Sequence, residues 1–296
     1  MRVAVVDVGS NTARLLVADV EHGRVVAVVK EREYLGLGAE IARAGALSNG
    51  TLRDLAHVCD EYARIARGSG IARATTIVTA PGRQGRSVGR LLRVLTEATG
   101  FRVRVLSAGE EGRYAYRGAV SAANDELPGS VGVVDVGGGS TEIAIGRPGA
   151  DASWVRSIDL GSVRLTSTLL QSDPPSRREL KRARAVIRAE LRRFEPPPAE
   201  LVLVAGGSAR AVARVVGRTF TADDLDEAVR ILARRPAART ARTFGMHLLR
   251  AESAVGGALL LAETARTLGS PLEVAGGGLR EGAALALAAA EVAAAA

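Results

Sequence analysis

Residues 131–142 read VGVVDVGGGSTE, and residues 3–12 read VAVVDVGSNT. In each, a short apolar run carries one aspartate near its end and breaks at glycine. Val131–Gly137 and Val3–Gly9 differ at one position in seven. An apolar run of this length bounded by glycine predicts a buried strand entering a tight turn. Finding the turn twice, each time followed by a second apolar run (RLLVADV at 14–20, TEIAIG at 141–146), predicts an internal duplication of α/β units.

Working outward, residues 23–34 predict a third strand of the first meander. An amphipathic helix is expected around 47–70, a strand at 74–80, a helix at 85–100, a strand at 102–107 and a helix at 109–123 opening on Glu110 and Glu111. NDELPGS at 124–130 reads as a break. The second meander adds a strand at 154–159. Ser172–Ser176 opens a basic helix from about Arg177 to Phe194, which the prolines of EPPPAE end. A strand, a glycine turn (Gly206, Gly207, Ser208) and a helix follow, then further helices through Leu268, a strand at LEVAGGG and a last helix from about Leu279. The expected fold is α/β: two similar lobes, residues 1–126 and 127–296, with a cleft between them.

The turns indicate what the cleft holds. Gly137, Gly138 and Gly139 let backbone N–H groups approach an anion, and Ser140 adds a hydroxyl. A bare phosphate would be repelled by Asp7, Asp135 and Glu142, so these carboxylates imply a bridging Mg²⁺, whose ligands are hard oxygens. A single turn of this kind is equally an ordinary hairpin; two in matched contexts favour a phosphate clamp. No Walker A sequence, helix-opening GxGxxG or HExxH is present.

The 296 residues are 47% hydrophobic and 24% charged, with no apolar run long enough to span a bilayer, and the chain reads as cytoplasmic, without a membrane partner. Cys59 stands alone, and His22, His57 and His247 are scattered, which excludes a cysteine-based metal site and disfavours a histidine triad. The net charge of +8 suits a polyanion, but only Lys30 and Lys181 among 40 basic residues are lysine, which also fits a GC-rich coding bias. Aromatics at 3% offer few stacking platforms, so nucleic acid is not expected as a partner.

Together, DVGSNTARLLVADV, SAGEEGRYAYRGAV, DVGGGSTEIAIG and DLGSVRLT resemble the exopolyphosphatase / guanosine pentaphosphate phosphohydrolase family of the actin-like ATPase superfamily, in its short two-domain form. The resemblance implies two actin-like (ribonuclease H-like) lobes with mixed sheets, the last helix packing back on the first lobe. It implies Mg²⁺-dependent hydrolysis of a terminal phosphoanhydride, with inorganic polyphosphate or guanosine pentaphosphate as substrate, and it admits a homodimer. A regulator that binds without turnover stays open beside the enzyme reading.

By the same resemblance Glu111 matches the catalytic base, with Asp135 and Glu142 as further catalytic and metal-linked carboxylates and Asp7 as a third metal-linked group. Gly9, Ser10, Asn11, Thr12 and Arg14 match the first phosphate loop; Gly137, Gly138, Gly139 and Ser140 match the second. Arg83 lies where the family carries a phosphate-binding arginine, although TAPGR here replaces the usual T-S-A-x-R. Without the resemblance, Glu110 and Glu111 read equally as acids favoured at a helix N-terminus. Gly161, Ser162 and Arg164 fall on the cleft side of the second lobe. Lys181, Arg184, Arg188 and Arg192 recur at helical spacing, either as a track for a phosphate chain or as a solvated face.

Overall fold

The structure is a computed structural model describing residues 1–123 and 126–295. The break read at NDELPGS begins on residues 124 and 125, outside the described residues. The first half runs β1 (Arg2–Val8), β2 (Thr12–Glu21), β3 (Arg24–Tyr34), α1 (Leu37–Ala44), α2 (Asn49–Gly68), β4 (Arg73–Val78), α3 (Ala80–Gln84), α4 (Val88–Thr99), β5 (Arg102–Val105) and α5 (Ala108–Ser121). The second runs β6 (Val131–Val136), β7 (Thr141–Gly146), β8 (Trp154–Ile158), α6 (Ser162–Leu169), α7 (Arg177–Leu191), β9 (Leu201–Ala205), α8 (Gly206–Val216), β10 (Thr219–Phe220), α9 (Ala222–Leu232), α10 (Ala237–Phe244), α11 (Leu248–Glu252), α12 (Ala254–Leu268), β11 (Leu272–Val274) and α13 (Leu279–Ala295).

Two mixed sheets follow the same plan. The first has strand order β3-β2-β1-β4-β5 and the second β10-β11-β9-β6-β7-β8. In each, a meander (β1–β3, β6–β8) supplies the antiparallel half, and parallel strands (β4 and β5; β9 and β11) join beside its first strand. β1 and β6 are the central strands. Covered on both faces, they read as continuous apolar runs, not as alternating patterns.

The matched registers reveal how the duplication was used. Asp7 pairs with Arg14 across β1–β2, and Asp135 pairs with Glu142 across β6–β7. Gly9 N donates to Thr12 O and Gly137 N to Ser140 O, both at 3.0 Å. The two turns are therefore built alike, but one places an arginine where the other places a glutamate.

Two helices exchange sides. α5 packs on β6, β7 and β8, putting Ala115, Tyr116 and Ala119 in a core with Val131, Val133 and Ala144. α13 returns to the first sheet, where Ala283 and Ala284 cover Val3, Val5, Leu16 and Ile77. The pair crosses at bare backbone: a Cβ on Gly118 would overlap the Gly278 carbonyl, and one on Gly282 would overlap that of Tyr114.

Three short helices depart from the sequence expectation. α1 and α6 form where only loop or motif was read, and α3 begins at Ala80, inside the expected strand, with Pro81 in its first turn. Five to eight residues with glycine at the borders carry too little periodicity to be read in advance. The basic face of α7 is part tether and part solvated face: Lys181 and Arg192 are exposed, whereas Arg184 and Arg188 are paired. Arg184 donates to Glu263 and Asp226, and Arg188 to Glu263, at 2.6–2.7 Å, which ties α7 to α9 and α12.

Candidate active site

The β1–β2 and β6–β7 turns meet at the cleft and are in contact: a Cβ on Gly138 would lie 2.8 Å from that of Ser10. The second turn is tied to α6, whose Val163 and Arg164 amides donate to Gly138 O and whose Ser162 amide donates to Gly137 O, at 2.9–3.0 Å. Across the cleft, the Gln84 amide donates to Gly139 O at 3.0 Å. The first turn is buttressed by Gly38, whose amide donates to Ser10 O at 2.6 Å, and by Asn11, whose side chain donates to Leu249 O at 3.4 Å.

A cavity of about 80 Å³ remains between the turns. Asp7, Gly9, Ser10, Asn11, Thr12 and Arg14 line it from the first half. Gly137, Gly138, Gly139, Ser140 and Asp135 line it from the second, with Glu111 at its wall. Glu142 and Arg83 stand behind that wall. Glu142 is 1% exposed, directly across β7–β8 from Ser157, whose hydroxyl donates to its Oε1 at 2.9 Å.

The tandem glutamates divide two tasks. Glu110 closes a capping box with Ser107 and pairs with Arg104 at 2.6 Å. Glu111, about 100° round the helix, turns into the cleft. There Arg83 Nη1 donates to its Oε2 at 2.7 Å and to Leu106 O at 2.9 Å, while Arg83 Nη2 donates to Ser140 Oγ at 3.0 Å. One guanidinium thus couples the Glu111 carboxylate to the second turn. Burial pushes Glu111 up to about 7 despite the opposing pull of Arg83. Burial also raises Asp135 to about 6, moves Asp7 upward and holds Glu142 well above the usual carboxylate range, with Glu111 and Asp135 adding repulsion there.

The far wall is cationic. Arg14, Arg210, Arg250 and Arg280 all line the cavity, and among the described residues none makes an ion pair. Arg14 Nε donates to Thr12 Oγ1, and Arg280 Nη1 to Leu15 O. Burial, reinforced by Arg280, lowers Arg14 to about 9, so it stays charged at neutral pH. Of these four, sequence reading singled out Arg14 alone. The others arrive from α8, α11 and the start of α13, and in so arginine-rich a chain only adjacency to the glycine turns (GGSAR, GGGLR) marks two of them. The Gly206–Gly207 turn also belongs to this wall. Gly206 has φ +88°, and a Cβ there would overlap Asp135 Oδ1.

Among the described residues no three His, Cys, Asp or Glu side chains converge to cage a metal ion. Asp7, Asp135 and Glu142 are spread through the site, not gathered around one point. Mg²⁺ needs no cage, since it is commonly held by one or two carboxylates with waters and phosphate oxygens. The donors fit such an ion: Asp7 Oδ1 and Glu142 Oε2 are buried and have no hydrogen-bond partner among the described residues.

Two mixed sheets of matched plan, each sending a glycine turn to the cleft, define an actin-like α/β protein. Residues 16–291 match the Ppx/GppA phosphatase family, and the chain belongs to it. It is 29% identical over 300 residues to Exopolyphosphatase 1 of Mycobacterium tuberculosis, covering 95% of this chain and 87% of that one. It is 32% identical over 299 residues to Exopolyphosphatase 2 of the same organism, covering 90% and 91%. Among solved structures, the Aquifex aeolicus member of the Ppx/GppA family superposes with a TM-score of 0.82 at 26% identity, over 98% of both chains. No helix among the described residues is long and apolar enough to cross a membrane.

Proposed function

We propose that the protein is an exopolyphosphatase, hydrolysing the terminal phosphoanhydride of inorganic polyphosphate to release orthophosphate. One observation carries the reading: the matched turns share their cavity with four arginines that make no ion pair among the described residues. Unpaired guanidinium groups in a sheltered cleft are costly, and a polyanion compensates them. Names borne by relatives, exopolyphosphatase in M. tuberculosis, support the same substrate.

In this reading the terminal phosphate sits between Gly9–Thr12 and Gly137–Ser140, contacted by backbone amides and by the Ser10, Thr12 and Ser140 hydroxyls. The cleft arginines hold the phosphates behind it. Glu111 orients the attacking water and accepts its proton. A base with a pKa of about 7 is half ionised at neutral pH, which suits that task. Arg83 fixes Glu111 against Ser140 and so sets the line from water to phosphorus. Asp7 and Asp135, with Glu142 behind them, are the residues that would hold Mg²⁺. A divalent ion there would neutralise charge on the phosphate oxygens. We further propose that the chain divides into two halves near residue 126, α5 and α13 each lying on the other half's sheet, and that closure of the lobes excludes bulk water.

The same clamp accepts the terminal phosphate of guanosine pentaphosphate, so the deciding experiment compares substrates. Orthophosphate release is measured with Mg²⁺ on long polyphosphate, pyrophosphate, guanosine pentaphosphate and ATP. Release from polyphosphate that Glu111→Gln abolishes while polyphosphate still binds supports the reading. Release from guanosine pentaphosphate alone transfers it to that substrate, and binding without release leaves a regulator.

A further inference from the structure

The pairing of β2 with β3 sets Thr12 opposite Tyr34 and Arg14 opposite Arg32. Opposite residues in an antiparallel pair share a face, so Arg32 stands beside a cleft arginine on the cleft side of the sheet. Like charges in that relation repel; Asp7 stands opposite Arg14 on its other side without forming an ion pair, and Arg32 makes none among the described residues. A third cation joins from the other half. At Gly207 a Cβ would lie 2.5 Å from Arg250 Nη2 and 3.1 Å from Arg14 Nη2, so these two guanidinium groups crowd one spot. Arg250 is 8% exposed, whereas Arg32 is open to solvent on the edge strand. The three arginines therefore form a row running from the cavity to the sheet edge. Tyr34 flanks the row. Its ring stacks on His247 with centroids 3.9 Å apart and planes 3° from parallel, joining β3 to the residue that caps α11.

We propose that Arg32, with Arg14 and Arg250, forms a second phosphate subsite at the cleft mouth, which holds the substrate chain behind its cleaved end and directs it over the β3 edge. The proposal rests on the polyphosphate reading. It gives the chain an exit that does not use α7, whose Arg184 and Arg188 are held by Glu263 and Asp226. It also makes Arg32 a determinant of chain length: a short substrate ends inside the clamp and never reaches it.

The test is steady-state hydrolysis and, separately, calorimetric binding of pyrophosphate, short polyphosphate and long polyphosphate. The proteins are the full chain, Arg32→Ala, Arg32→Lys and the exposed Arg178→Ala as a charge control. In Arg32→Ala the loss grows with chain length and levels off at about two- to tenfold in KM and Kd, while Arg32→Lys recovers most of it. The slope of log Kd against log salt falls by about one for long chains. Arg178→Ala does not alter the ranking of substrates. Equal losses at every length, no loss at any, or the same change in Arg178→Ala would overturn the subsite. If the wild-type chain binds polyphosphate without hydrolysing it, the catalytic reading falls and the binding series still decides the subsite.

Discussion

Replacing Glu111 with glutamine separates two consequences of one carboxylate. The group is buried in the cleft wall and titrates at about 7 in the folded chain, against an ordinary value of 4.5. The folded state binds this proton more tightly than the unfolded chain does. The group is therefore neutral to stability below about pH 4.5 and increasingly unfavourable up to about pH 7. Above that it costs the folded state a constant amount, about 3 kcal/mol at 1.36 kcal/mol per pH unit. Glutamine keeps the shape and a carbonyl acceptor for Arg83 without the charge. In chelator-containing buffer, urea unfolding of Glu111→Gln and the parent chain should coincide near pH 4.5. At pH 8 the variant should be more stable by up to about 3 kcal/mol. At pH 8 phosphate release should fall by about 10²–10⁴, because an amide cannot take the proton from water. A stability difference that is the same at both pH values would refute the burial argument. Retained turnover would refute the base assignment independently.

The other predictions concern neighbours of that carboxylate and the helix crossing. Arg83→Ala removes the cation that holds Glu111 down, so the acid limb of the pH–rate profile should move above 7, with Arg83→Lys moving it less. Ser157→Ala leaves Glu142 Oε1 without its donor and should lower stability by about 1–3 kcal/mol in thermal melts, with Ser157→Thr restoring most of it. Gly118→Ala forces a methyl into the Gly278 carbonyl and should cost about 3 kcal/mol or more, read as a lowered urea midpoint, whereas Gly68→Ala, with open space around it, should not.

Much of the site was legible because it is local. Asp7 to Arg14 and Asp135 to Glu142 each lie within eight consecutive residues, and a strand–turn–strand pattern fixes their relation before any tertiary contact is known. Glu111 was legible only through the family motif. Its neighbour Glu110 has the same side chain, and the capping box that separates their roles depends on which face of α5 meets the second sheet. Arg210, Arg250 and Arg280 were not legible. They converge from elements distant in sequence, and each is one arginine among many. On α7 helical spacing is conspicuous but leaves a phosphate track and a solvated face equally open; the carboxylates that hold Arg184 and Arg188 come from α9 and α12, out of reach of a local pattern.

The exchange of α5 and α13 sets an order on synthesis. The first sheet is complete as a set of strands once Val105 has been made, yet the helix that covers Val3, Val5, Leu16 and Ile77 is α13, through Leu279, Ala283, Ala284 and Leu287. Nearly the whole chain must leave the ribosome before that apolar face is closed. The half made first is thus the half finished last, and until then it presents bare β-sheet, a surface on which chaperones or premature association can act.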